Sequence, residues 1–320
     1  MKRLIPVDLL PITLWDAGNK HLNLPPELSK IYNMLVDRYG LRELANARDS
    51  KKHPVGGLTQ EKTNEHFAQA FDGSVARTQL AFLDPNNNML ETSNAFMIYL
   101  AGGNVSLTDA PCGAGAGAFA LLANIAELRS QNVLPRQPLD IVLIGAELSE
   151  PARQYAQVIF NEIRPRLEVQ AIFVKAFFME WDVTDKMKNT NLIKEITIKS
   201  DGYKKHLLII ANFNGFLEKE NKRGDAEKQI EELFRYVSSA KNSLAIWIEP
   251  DMNRATENLF PWLVKKAKEF WNKFVNIKLV DNLDRTPLRS SSKFWLPLSP
   301  GSSVDVRVTV MLIDLIRKRN

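Results

Sequence analysis

Cysteine is almost missing from this 320-residue chain: Cys112 stands alone, which excludes an internal disulfide and any cysteine-based zinc cluster. Histidine is scarce too. His21, His53, His66 and His206 fall at no metal-ligand spacing, and no metal is expected. No apolar run approaches the roughly 18 residues that a membrane-crossing helix needs. The opening stretch, MKRLIPVDLLPITLWD, is broken by prolines and aspartates before a signal peptide's apolar core can form. A cytoplasmic protein without a membrane partner is therefore expected. What is present is ordinary for a folded chain, with 45% hydrophobic and 25% charged residues. The formal charge of +5 admits an acidic partner such as nucleic acid without requiring one.

The stretch SLTDAPCGAGAGAFALL, residues 106–122, reads as a buried strand, a glycine-rich turn and the start of a helix. Glycines at 113, 115 and 117 allow backbone N–H groups to approach a bound molecule, and the following helix aims its positive dipole end at the same spot. Two readings fit. Gly113-x-Gly115-x-x-Ala118 satisfies the loose dinucleotide pattern G-x-G-x-x-A. Asp109-x-Pro111-Cys112-Gly113-x-Gly115-x-Gly117 accounts for more residues and resembles the first motif of class I S-adenosylmethionine (SAM) dependent methyltransferases. That resemblance implies that Asp109 lies near the amino-acid end of SAM and that the backbone of Pro111, Gly113 and Gly115 packs against it. Pro111 stands where a glycine is usual.

Further along, Leu139–Glu147 is an apolar strand closing on an acid, and Ser149 with Pro151 opens the next helix. Gly145-x-Glu147-x-Ser149-x-x-Ala152 resembles the family's second motif, where the carboxylate holds both ribose hydroxyls. An ionised carboxylate can accept two such protons. Residues 171–178 form a third apolar strand, and Met179-Glu180-Trp181-Asp182-Val183 after it resembles the third motif. By that likeness Asp182 accepts from the adenine amino group and Trp181 flanks the base. A turn-capping role for Asp182 is the alternative. Residues 206–211 are a fourth strand ending in Asn212-Phe213-Asn214-Gly215, where the family places residues facing the transferred methyl group. Asn212 and Asn214 are the candidates to orient the acceptor, with Phe213 against the substrate.

The remaining pattern completes an α/β chain. Residues 1–104 read as a mainly helical accessory or lid region, with helices near 26–47, 60–71, 74–83 and 91–101. Gly73 and Ser74 suggest a break and a cap that leave Arg77 on a first turn, able to meet the carboxylate of SAM or an acidic substrate. Residues 105–320 then read as the methyltransferase domain. Residues 186–205 read as a solvated segment, 225–241 as an amphipathic helix, 243–251 as a fifth strand and 255–270 as a helix. Strands at 274–280 and 304–316 finish the chain, the last one alternating as an antiparallel strand does. The expected fold is a Rossmann-like, seven-stranded, mostly parallel sheet with an antiparallel last strand, flanked by helices. Its final loop, 281–303, would stand over the substrate side, carrying Arg285, Arg289 and Trp295 to grip a phosphate and stack a base.

The resemblance implies methyl transfer from SAM, with RNA or another nucleic acid favoured as acceptor over protein or a small molecule. Two other functions fit parts of the sequence. A degenerate SAM-binding scaffold or regulatory subunit, working with a partner protein, suits the large N-terminal layer and the absence of the two prolines that amino-group methyltransferases often carry after the fourth strand. An NAD(P)-dependent oxidoreductase suits the glycines but not the acid that precedes them.

Overall fold

The computed structural model describes residues 2–48, 56–238, 242–251 and 287–314. Among these residues, nine strands form one sheet in the order β1-β2-β8-β9-β7-β6-β3-β4-β5. Five of them, β3 (Gly103–Asp109), β4 (Leu139–Glu147), β5 (Ile172–Glu180), β6 (Lys205–Ala211) and β7 (Ser243–Pro250), run parallel. The apolar runs of β3, β4, β6 and β7 are what a strand covered on both faces requires, while β5, at the sheet edge, exposes alternate positions. β9 (Ser303–Asp314) is antiparallel to β7 and to β8 (Leu288–Trp295). The two-residue strands β1 (Trp15–Asp16) and β2 (His21–Leu22) extend the sheet beyond β8.

This corrects the expected seven strands. The mainly helical N-terminal region also contributes β1 and β2 to the sheet, and β1–β2 is a third antiparallel pairing beside β7–β9 and β8–β9. Strands of two residues are too short to show any alternation. The segment 281–303 is not one long loop either, since β8 occupies much of it. Its core-facing positions are Ser290 and Phe294, both buried. Serine at an inward position hides the apolar alternation that marks a strand. The expected helix 255–270, the expected strand 274–280 and Arg285 lie outside the described residues.

Helices cover both faces. One core gathers α1 (Pro26–Arg38), α2 (Arg42–Asn46), α3 (Gln60–Leu83), α4 (Leu90–Leu100), α5 (Ala116–Ser130) and α6 (Glu150–Val169) on one face of the sheet. The other gathers α7 (Lys186–Lys199), α8 (Asn214–Lys219) and α9 (Arg223–Ser238) around Trp247. α5 is buried at every position from Ala116 to Arg129. A helix apolar all round needs neighbours all round, and α3 packs along its outer side. Residues before and after 104 thus share a single core. The 186–205 segment, read as solvated, is mostly the helix α7: Asp185 caps it by accepting from Met187 N and Lys188 N, while Leu192 and Ile196 pack inward.

α3 runs unbroken through Gly73, correcting the expected pair of helices. Thr59 caps it, and Ser74 sits inside it as a buried residue. A helical glycine costs about 1 kcal/mol relative to alanine, and Phe67, Phe71, Val75 and Leu80, all buried, outweigh that. Arg77 is consequently mid-helix. Thr63 Oγ1 lies 3.1 Å from Ser149 Oγ beyond β4, and Arg77 Nε donates to Asn212 Oδ1 beyond β6 at 2.7 Å. α3 therefore crosses the carboxyl edge of the parallel strands.

Candidate functional site

The chain builds β3, β4 and β5 outward on one side, then returns to place β6 on the other side of β3. In open α/β sheets ligands bind where this reversal opens a crevice, beyond the carboxyl ends of the strands. Asp109, Glu147, Asn212 and Glu249 come together there, with α3 above them.

The glycine turn needs its glycines for different reasons. Gly115 caps α5 at φ +83°, and a Cβ on it would collide with the Phe119 ring. Gly113 has φ +52° with nothing within 4 Å of where a Cβ would stand, so its backbone faces open space. At Gly117 a Cβ would lie 3.1 Å from Asp109 Oδ2. That proximity shows where the acid points. Asp109 Oδ2 accepts from Ala118 N at 2.9 Å, so the carboxyl already occupies the N-terminal end of α5. Its other oxygen, Oδ1, is buried and has no hydrogen-bond partner. Burial pushes the Asp109 carboxyl up to about 7; the Ala118 N–H opposes this and the nearby Glu147 charge adds to it.

Glu147 sits across the turn and is half-buried. Its Oε2 accepts from Gly113 N at 3.0 Å and its Oε1 from Ser149 N at 2.8 Å. Burial raises its carboxyl above the usual range, against the pull of those N–H groups and of Arg153. The same device recurs at β7. Glu249 Oε1 accepts from Phe213 N (3.0 Å), Asn214 N (2.9 Å) and Trp247 Nε1 (2.6 Å), and burial raises its carboxyl too. In both cases an acid at one strand's end catches the backbone just beyond the neighbouring strand. Sequence reading singled out Glu147 but gave Glu249 no role, although Ile248-Glu249-Pro250 shows the same apolar-run-then-acid signal.

No protein-family model matches this chain, and no curated protein matches it. Among solved structures it is similar to a candidate class I S-adenosylmethionine-dependent methyltransferase from Listeria monocytogenes, with 13% identity and a TM-score of 0.32 over 90% of this chain and 86% of that one. That likeness assigns no residue a role.

The other candidate residues are distributed unevenly about the crevice. Asn212 belongs to it, in a left-handed conformation (φ +55°) with its side-chain oxygen held by Arg77. Asn214 is buried, and its Oδ1 accepts from Arg223 Nη2 at 2.8 Å, which makes it a latch between α8 and α9 rather than a residue open to an acceptor. Trp181 and Phe213 are core residues, 2% and 4% exposed, with ring centroids 6.0 Å apart. Trp181 Nε1 donates to Asn189 Oδ1. Asp182 Oδ1 accepts from Thr184 N and Thr184 Oγ1, the geometry of a turn cap. Pro111 lies two residues beyond Asp109, in the turn itself. Arg289 and Trp295 lie on β8 rather than on a loop. Arg289 Nε is 3.6 Å from Asp251 Oδ1, and Trp295 stacks on His21 with centroids 4.4 Å apart.

The Asp109 carboxyl gives a pH test. Its folded pKa lies above the ordinary carboxylate value, so the protonated form predominates below about 7 and the folded chain holds one more proton than the unfolded chain between about 4 and 7. The corresponding stability is fully present near pH 4 and is lost as pH rises through about 7. A cationic ligand on Oδ1 favours the ionised form, so its affinity should rise roughly tenfold from pH 6 to pH 8. Calorimetric titration in buffers of different ionisation enthalpy should show proton release on binding at pH 6 and little at pH 8. A flat profile in Asp109→Asn would assign the effect.

Proposed function

We propose that this chain binds SAM at the crevice over β3 and β4 and transfers its methyl group to an acceptor, with residues 1–104 as the accessory layer that covers the site. The observation that carries this is the pair of acids astride the glycine turn, with a buried oxygen of Asp109 unpartnered and Gly113 open to space. Such a cradle suits a cationic ligand with hydroxyls. It suits a pyrophosphate poorly, because Asp109 already fills the end of α5 where a dinucleotide's phosphates would sit. This is the physical case against an NAD(P)-dependent oxidoreductase.

In this reading the backbone at Pro111, Gly113 and Gly115 packs against the cofactor, Glu147 accepts from the ribose hydroxyls, and Asp109 faces the ammonium end. Asp182, just beyond β5, borders the adenine, and Trp181 supports that turn from the core. SAM supplies an already electrophilic methyl carbon, so the protein's work is alignment and exclusion of water. α3 excludes water from above, and the Asn212 amide orients the acceptor. Calorimetric titration of the purified protein with SAM and S-adenosylhomocysteine is the test, with NADPH beside them. Micromolar SAM binding without NADPH binding is expected. Absence of SAM binding would overturn the proposal.

RNA or another nucleic acid is the favoured acceptor. The exposed face of the β8–β9 hairpin carries Arg289, Lys293 and Arg307 with a single acid, Asp305, among them. If the acceptor is a nucleic acid, replacing Lys293 and Arg307 by Gln should weaken RNA binding and lower the salt slope, log K against log [salt], by about one per lost phosphate contact. An unchanged slope would remove this face from the interface. One observation favours a second function, a non-catalytic SAM-binding scaffold: the side-chain oxygens of both Asn212 and Asn214 are already held by arginines. A methyl-transfer assay on RNA, protein and small-molecule acceptors separates the two.

A further inference from the structure

Arg77 is a half-buried cation whose hydrogen bonds all go to neutral oxygens. Nε donates to Asn212 Oδ1 at 2.7 Å and Nη2 donates to Ser74 Oγ at 3.1 Å. Among the described residues it forms no ion pair, and Nη1 has no acceptor. The carboxylates near it are engaged elsewhere: Asp72 is paired with Arg48, and Glu249 holds three N–H groups. Burial brings the guanidinium down to about 10, with the Glu249 and Asp72 charges opposing it and the Arg48 charge adding to it. Such a group is stabilised by any anion that reaches it.

The space beside Nη1 is kept by Gly73. A Cβ on Gly73 would stand 3.7 Å from that nitrogen, and Gly73 lies one helical turn before Arg77 on the same side of α3. His66, two turns earlier again on that side, is half-buried, and burial together with the Arg77 charge brings its imidazole down to about 4. It is thus a neutral ring with an N–H to donate. The Asn212 amide that receives Nε keeps its own two donors. Arg77 Nη1 therefore faces the open position at Gly73, with the Asn212 amide bonded to the same guanidinium and His66 two turns back along the same side of α3.

We infer that Arg77, Gly73, His66 and Asn212 form an anion subsite that accepts a carboxylate or a phosphate monoester. The guanidinium fork matches a pair of carboxylate or phosphate oxygens and so favours these oxyanions over chloride. The anion has two sources, the carboxylate of the cofactor or an acidic group of the acceptor. Only the first depends on the SAM reading.

The probe is inorganic phosphate, titrated into the full-length protein while thermal unfolding is followed at constant ionic strength set with chloride. The wild-type midpoint should rise saturably. In Gly73→Ala and Arg77→Met the apparent phosphate affinity should fall at least tenfold. Gly73→Ala is the decisive variant, because alanine raises helix propensity and meets only ordinary van der Waals contact there. Its ligand-free midpoint should hold or rise while phosphate binding weakens, which a purely structural role does not produce. An equal phosphate response in all three proteins, or none in the wild type, overturns the subsite. Titration with SAM and decarboxylated SAM then names the source. A tenfold preference for SAM that vanishes in Arg77→Met assigns the cofactor carboxylate, and equal binding assigns the acceptor. Binding of phosphate but of neither nucleoside would sink the SAM reading and leave the subsite standing.

Discussion

Glu147→Ala should reduce SAM affinity roughly a hundredfold while leaving a folded protein. The carboxylate takes two ribose hydroxyls in the proposed complex, and hydrogen bonds to a charged partner are worth about 1.5–3 kcal/mol each. Part of that is offset because its oxygens also accept from Gly113 N and Ser149 N, and alanine returns those donors to water in a half-open crevice. Glu147→Gln keeps one acceptor and should lose about tenfold. Calorimetry beside circular-dichroism melts checks both variants. Full affinity in a folded Glu147→Ala protein would place the ribose elsewhere and remove the central element of the proposal.

Gly115→Ala should be the costliest small substitution in the crevice, lowering stability by roughly 2–3 kcal/mol. Two penalties combine: an L-residue at φ +83° is strained, and the new methyl meets the Phe119 ring, which is fully buried and has little room to move. Gly115→Ala/Phe119→Leu should recover part of the loss by relieving only the second penalty. Urea unfolding of the three proteins measures the split. An unchanged midpoint in Gly115→Ala would show that the turn can adopt another path. Gly113→Ala, with open space at its Cβ, should cost less stability and act mainly on ligand binding.

These residues show what the sequence could disclose. Long apolar runs ending in an acid announced β3, β4 and β7, and a serine before Glu-Pro announced the start of α6, because burial and capping leave local marks. The glycine turn was legible for the same reason. The α3 boundary was not, because a glycine inside a well-packed helix looks like a glycine at its end. β8 was hidden by Ser290 at a core-facing position, and β1 and β2 by their brevity. Asn214 looked equivalent to Asn212 until packing separated them: one meets α3, the other is clasped by Arg223. Which long-range partner holds an amide is a tertiary fact that no local pattern records. Arg77 lay between these cases. Its residue type suggested an anion, but only the lack of an ion pair among the described residues distinguishes it from an arginine on a helix flank.

The span of α3 from Thr63 to Arg77 is pinned at both ends, to Ser149 beyond β4 and to Asn212 beyond β6. A beam fixed this way has a length that cannot drift by single residues. One inserted residue turns its far end by about 100° and shifts it by about 1.5 Å, so Arg77 would swing off Asn212 if Thr63 kept its contact. Substitutions along the exposed positions leave that span intact, while any change in its count dismantles the roof of the crevice. Natural variation in this chain's length is thereby steered toward other segments.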